Sequence, residues 1–134
     1  MYLVTRADLP PGIQATQATH AALDFAVAHP DTFRDWHAGS NTLVLVAARD
    51  EDALDRLRVA ASAAGHRHVG FREPDLGGAL TALAVEPAAY RLLSHLPLAL
   101  RPASGGARSP ASGGAHEAAS GGARRAVSVD GGGR

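Results

Sequence analysis

The first hundred residues switch between two apolar periods, and the switches predict the elements. Tyr2-Leu-Val-Thr5 is a short β-prone run, a first strand. Pro10, Pro11 and Gly12 then break the chain and re-aim it. No helix breaker follows until Pro30. Ala15, Ala18, Ala22 and Ala26 recur at helical spacing, with Phe25 and His29 close to the same stripe. This predicts a helix to about His29 whose small residues allow close approach to a sheet. Gln14, Gln17 and His20 stand three apart and form a drifting polar row on it.

A second, short helix is expected over Thr32–His37, with Asp31 as its N-cap. Thr42–Ala47 is a continuous apolar run, which predicts a central strand buried on both faces. Asp50-Glu-Asp52 opens a third helix, where the dipole favours acids, and Gly65 suits its C′ position. His66–Arg72 and Ala79–Val85 read as two further strands, joined as a hairpin through a Pro-Asp-Leu-Gly-Gly loop. A last helix runs from Pro87 to about Leu96. Strands alternating with helices imply an α/β three-layer sandwich, a mixed four-stranded sheet with helices on both faces. Ligands of such sheets collect beyond the carboxyl ends of strands, where Pro10–Gly12 lies.

Composition divides the 134 residues into two parts. A domain of residues 1–101 is followed by a Gly-, Ala-, Ser- and Arg-rich tail over residues 102–134. In the tail, Ala-Ser-Gly-Gly-Ala recurs every eight residues, from Ala103, Ala111 and Ala119. Its low apolar content predicts disorder. The alternative is an RNA-contacting arm using Arg108, Arg124 and Arg125. There is no cysteine, which excludes disulfides and thiolate metal sites. The N-terminus has neither the charged nor the apolar region of a secretory signal, and no apolar run nears the roughly 20 residues of a membrane helix. A cytoplasmic protein without membrane contact is the default expectation. Basic and acidic residues balance at 13 each, and every basic residue is arginine. The first 101 residues hold 9 arginines against 11 acids, a poor footprint for extensive nucleic-acid binding, though a few arginines suffice for a small basic patch.

Several chemistries are excluded. There is no P-loop, no GxGxxG after a strand and no GxSxG elbow. His66 and His68 share a strand face, but no third ligand stands near them, so no metal or other cofactor is expected. An enzyme built from these residues uses an activated water rather than a side-chain nucleophile.

The run Arg6-x-Asp8-Leu9-x-x-Gly12-x-x-x-x-Gln17-x-x-His20-Ala21-Ala22 resembles the N-terminal signature of the type 2 peptidyl-tRNA hydrolases. Further likenesses follow in order. Trp36 and Gly39 precede the second strand, an acidic-start helix ends at a glycine, and Gly78-x-x-Thr81-x-Leu83-x-x-x-Pro87 is similar to the family's last strand and its exit. The resemblance spans Met1 to about Leu100. It implies a mixed four-stranded sheet and metal-independent hydrolysis, by activated water, of the ester between a peptide and the ribose at the 3′ end of tRNA.

Carried over by position, Gln17 and His20 fall on the family's polar helix positions, Thr81 on a hydroxyl position lining the site, and Asp8 on the acid of the first loop. Two departures stand out. The family has a lysine directly after its first-loop glycine, where this chain has Ile13. The family's longer loop before the last strand, with an Asp and a Thr, is here shortened to Glu73-Pro-Asp75-Leu-Gly-Gly. Either Glu73 or Asp75 can stand in for its acid, and Asp75, nearer the glycines, is favoured.

The expected machinery is His20 as base, Asp75 orienting it and Thr81 positioning water, with Arg6, Asp8, Gly12, Gln14, Gln17 and Arg72 binding substrate. The N–H groups of Gly12 to Gln14 supply positive character, helped by Arg6 or Arg72 if they point inward. Each residue also has a structural reading: His20 as a packed histidine, Gln17 as a solvated one, Asp8 and Asp75 as turn caps, Thr81 as a strand former. Two other functions stand beside the hydrolase. One is an inactive binding module of the same fold; the other is a hydrolase of a small ester or amide. A symmetric homodimer is the base-rate expectation for assembly.

Overall fold

A computed structural model describes residues 1–101. The expected tail, its repeat and its arginines lie outside the described residues.

Strand β1 (Tyr2–Arg6) leads into helix α1 (Pro11–Ala28) and then helix α2 (Pro30–Ala38). Strand β2 (Val44–Ala48), helix α3 (Glu51–Ala63), and strands β3 (His68–Glu73) and β4 (Ala79–Val85) follow. A 3₁₀ turn at Pro87–Ala89 opens the short helix α4 (Tyr90–Leu93). The sheet order is β2-β1-β4-β3, with β1 and β2 parallel and the other two pairings antiparallel. This is the mixed four-stranded sheet that the alternation predicts.

Two cores sandwich the sheet. Leu3, Ala82 and Ala84 pack under Ala18, Ala21 and Phe25 of α1, with Phe33 and Trp36 of α2 beside them. Val4, Val46, Leu83 and Val85 pack under Leu54 and Ala61 of α3 and Leu93 of α4. Strand alternation sends neighbouring residues to opposite layers, and helical spacing gathers each stripe. Alanines dominate the α1 side, so that helix sits close to the sheet.

The ends of α3 follow from its sequence. The Asp50 carboxylate accepts the Ala53 N–H at 2.9 Å, an N-cap. At the other end, Gly65 takes φ +74°. The Gly65 N–H donates to Ser62 O and the His66 N–H to Ala61 O, which makes a Schellman turn.

Three sequence expectations need correction. The Thr42–Ala47 run is not a central strand: β2 is at the sheet edge, and β1 and β4 are central. Its apolar character has another cause. Residues 97–99 return along the open edge, where the Ala47 N–H donates to Pro97 O at 2.9 Å and the Ala99 N–H to Leu45 O at 3.1 Å. Asp31 is not the cap of α2, because Pro30 already occupies the first helical position and His29 caps. Asp31 instead meets Arg34 at 3.1 Å on the surface. Finally, α4 stops at Leu93 rather than near Leu96, since the chain must leave the helix to cover β2.

Candidate active site

Strand β4 carries one irregularity that matters for chemistry. Phe71 pairs with Ala82 but Arg72 pairs with Leu80, so Thr81 is an extra, bulged residue. Strict alternation would send Thr81 toward α3 with Leu83 and Val85. The bulge turns it toward α1 instead, onto the side of Ala82. There, fully buried, its hydroxyl meets Gln17 Oε1 at 2.9 Å and Phe71 O at 3.3 Å.

Gln17 continues the chain of contacts. Its Nε2 donates to Glu73 Oε2 at 2.7 Å. The polarity of this relay is determined, because a carboxylate only accepts. The Gln17 NH₂ must therefore face Glu73, its oxygen must face Thr81, and the Thr81 hydroxyl must donate. Glu73 Oε1 accepts the Asp75 N–H at 3.3 Å, which holds the carboxylate from both sides. Thr5, also fully buried, donates to Thr81 O at 3.4 Å and ties the bulge to β1. Thr81→Val leaves the buried Gln17 oxygen without its donor. We expect a loss of about 1–3 kcal/mol in chemical denaturation, with Thr81→Ser close to wild type.

Glu73 and Gln17 open onto a cleft of about 290 Å³. Leu9, Pro10, Ile13 and Leu76 form its apolar wall, and Asp75 stands with Glu73 on the polar one. No described lining residue is cationic. The first turn of α1 borders the cleft through Ile13. There Pro11 has no N–H, the Gln14 N–H is the first to bond inside the helix, to Pro10 O, and no side chain caps the end. That end of an 18-residue helix carries partial positive charge.

The other expected site residues lie elsewhere. His20 is exposed and stacks on Phe71, centroids 4.6 Å apart and planes 10° apart. It does not line the cleft, and no hydrogen bond joins it to Asp75 among the described residues. The carboxylate brought to the polar row is Glu73 rather than the favoured Asp75. On β3, Phe71 and Glu73 share the α1 face, whereas Asp75 lies past the end of the strand in the 3₁₀ turn Pro74–Leu76. Gln14 is buried but structural: its Nε2 donates to Leu9 O at 2.7 Å and its Oε1 accepts the Leu100 N–H at 3.1 Å. Gly12 is exposed in the first turn of α1.

Neither expected arginine points into the cleft. Arg6 grips both oxygens of Asp8, at 3.0 and 2.8 Å, and meets Glu51 at 3.1 Å. Its hydrogen bond holds the Asp8 carboxyl below its ordinary value, and Asp8 in turn raises Arg6. The pair therefore contributes stability above the ordinary Asp value and loses it as pH falls through the depressed one. Arg72 is exposed and donates to Gly78 O at 3.0 Å. Among the described residues no group of three His, Cys, Asp or Glu is placed to hold a metal ion.

A family model described as peptidyl-tRNA hydrolase PTH2 matches residues 1–101. The chain belongs to this family. Comparison with curated proteins found no match. The family is one of peptidyl-tRNA hydrolases. Ile13, directly after Gly12, lines the same cleft as Glu73. No described helix is long and apolar enough to cross a membrane.

Proposed function

We propose that this chain hydrolyses the ester of peptidyl-tRNA with a water activated by Glu73, in the cleft between α1 and the β3–β4 turn. The observation that carries the reading is the Glu73–Gln17–Thr81 relay at the edge of that cleft. Water attacks the ester carbonyl and gives its proton to Glu73. The bond between the carbonyl carbon and the ribose oxygen breaks, and the ribose oxygen leaves with the proton that Glu73 took from water, which restores the Glu73 carboxylate. Gln17 and Thr81 keep the Glu73 carboxylate oriented through both steps, which is the positioning that base catalysis requires. The N–H groups of Gly12 and Ile13, at the positive end of α1, stabilise the oxyanion in place of an ammonium. Asp75 lines the same cleft. His20, stacked on Phe71 outside the cleft, takes no part in proton transfer.

Ile13 is the expected brake on this chemistry. A lysine there brings a charge to the developing oxyanion, and one such donor is typically worth about 10²–10³ in kcat. Ile13→Lys should raise single-turnover hydrolysis of peptidyl-tRNA by about a hundredfold, the lower end of that range. An unchanged or slower rate would show that the first turn of α1 does not face the reacting carbonyl. The apolar wall and absence of a lining cation favour, as second reading, a small neutral ester or amide. Equal turnover of such a substrate and peptidyl-tRNA would support that second reading over the first.

A further inference from the structure

A hollow of about 570 Å³ lies on the other side of the β1–α1 loop. Its volume falls within the roughly 300–1,000 Å³ of small-ligand pockets. Three pieces of chain build it. Strand β2 ends at Ala48, α3 rises from the Asp50 cap carrying Arg56 and Leu57, and residues 95–97 return beside them toward the open edge of β2. The floor is apolar, made by Ala48, Leu57 and Leu96, while Arg49, Arg56 and His95 stand around it. None of the lining residues is acidic.

The cations of this rim are open to a ligand. Arg49 is 81 % exposed and is held only through Nε, by Asp50 Oδ2 at 2.7 Å. Asp50 is committed in turn, since its other oxygen caps α3 at Ala53. Arg56 is exposed, and no carboxylate pairs with it among the described residues. By contrast, Arg6 and Arg72 are taken up by Asp8, Glu51 and the Gly78 carbonyl. The two hollows therefore differ in their charged lining, arginines here and carboxylates in the cleft. Both lie beyond the carboxyl ends of parallel strands: β1 and β3 for the acidic cleft, β1 and β2 for the basic hollow. Ala7, just past β1, lines the basic hollow, and Leu9 lines the cleft.

We propose that the Arg49–Arg56–His95 hollow binds a nucleotide of the tRNA acceptor strand, its phosphate on the two arginines and its ribose and base against the apolar floor. This rests on the proposed peptidyl-tRNA reading. A polyanion whose ester enters a cleft with two carboxylates and no cation needs phosphate contacts elsewhere. This rim supplies them on the same end of the sheet.

The test is equilibrium binding of deacylated, fluorescently labelled tRNA over a salt series, which does not depend on hydrolysis. Arg49→Gln/Arg56→Gln is compared with Arg34→Gln/Arg67→Gln, which removes equal charge from exposed sites outside the hollow. Loss of the phosphate held by both arginines should flatten the slope of log affinity against log salt by about 1 in the first pair. The second pair should keep the wild-type slope. Wild-type slope in the first pair, or equal loss in both, overturns the site. Intact tRNA binding of this pattern without any turnover would instead remove the hydrolase reading and leave the hollow standing.

Discussion

Glu73→Gln is expected to slow hydrolysis of peptidyl-tRNA by about 10²–10⁴-fold, the usual worth of a positioned general base. The substitution is close to isosteric. The amide oxygen can still accept from Gln17 Nε2, now 2.7 Å from Oε2, while the amide NH₂ in place of Oε1 gives up only the longer, exposed 3.3 Å contact with the Asp75 N–H. The fold should therefore survive, and far-UV circular dichroism should match wild type. What disappears is the ability to take a proton from water near neutral pH. Asp75→Asn and His20→Ala serve as comparisons. Asp75 touches the relay only through its backbone, and His20 is held on Phe71 outside the cleft. Both should cost far less than Glu73→Gln. A loss in His20→Ala equal to that in Glu73→Gln would return the base role to the histidine.

The second large effect concerns stability. Phe25→Ala should cost about 3–5 kcal/mol in denaturant unfolding, the range for emptying a buried aromatic site. Phe25 is 1 % exposed and is the largest side chain buried between α1 and the sheet. Its neighbours there are mostly alanines and cannot swing in to fill the space. On a domain of about 100 residues, each kcal/mol lowers Tm by roughly 4–8 °C, so the variant should melt well over 10 °C below wild type. Leu23→Ala, two residues earlier on the exposed face of α1, should change stability by no more than about 0.5 kcal/mol. Equal effects at both positions would mean that α1 is not packed as described.

Local pattern was enough for the architecture. Helical spacing in α1, the acidic opening and Gly65 ending of α3, and the apolar β4 all follow from forces acting within a few residues. Strand order was legible only in part, because the apolar run of β2 has two physical causes. A central strand and an edge strand covered by residues 97–99 look alike when the covering segment lies fifty residues away. The short α4 has the same origin, since the covering segment sets where the helix must stop.

The site was legible by residue type more than by partnership. Gln17 and Thr81 were marked as site positions, and their meeting depends on a bulge that strand periodicity does not announce. Glu73 and Asp75 are two residues apart in a turn, and only the pairing of β3 decides which faces Gln17. Arg6 and Arg72 carry the right charge for a tRNA hydrolase. Their direction is fixed by Asp8, Glu51 and the Gly78 carbonyl, which are contacts of the folded chain. His20 was drawn away by Phe71, an aromatic surface formed across α1 and β3. The basic hollow depends on residues from β2, α3 and the 95–97 segment, three pieces that share no motif.

The most direct measurement is single-turnover release of tRNA from an N-blocked peptidyl-tRNA by the purified chain, with Glu73→Gln beside it. The account predicts ester cleavage by the wild type and a rate at least about a hundredfold lower in the variant. Absence of cleavage by the wild type, or equal rates in the two proteins, would contradict it.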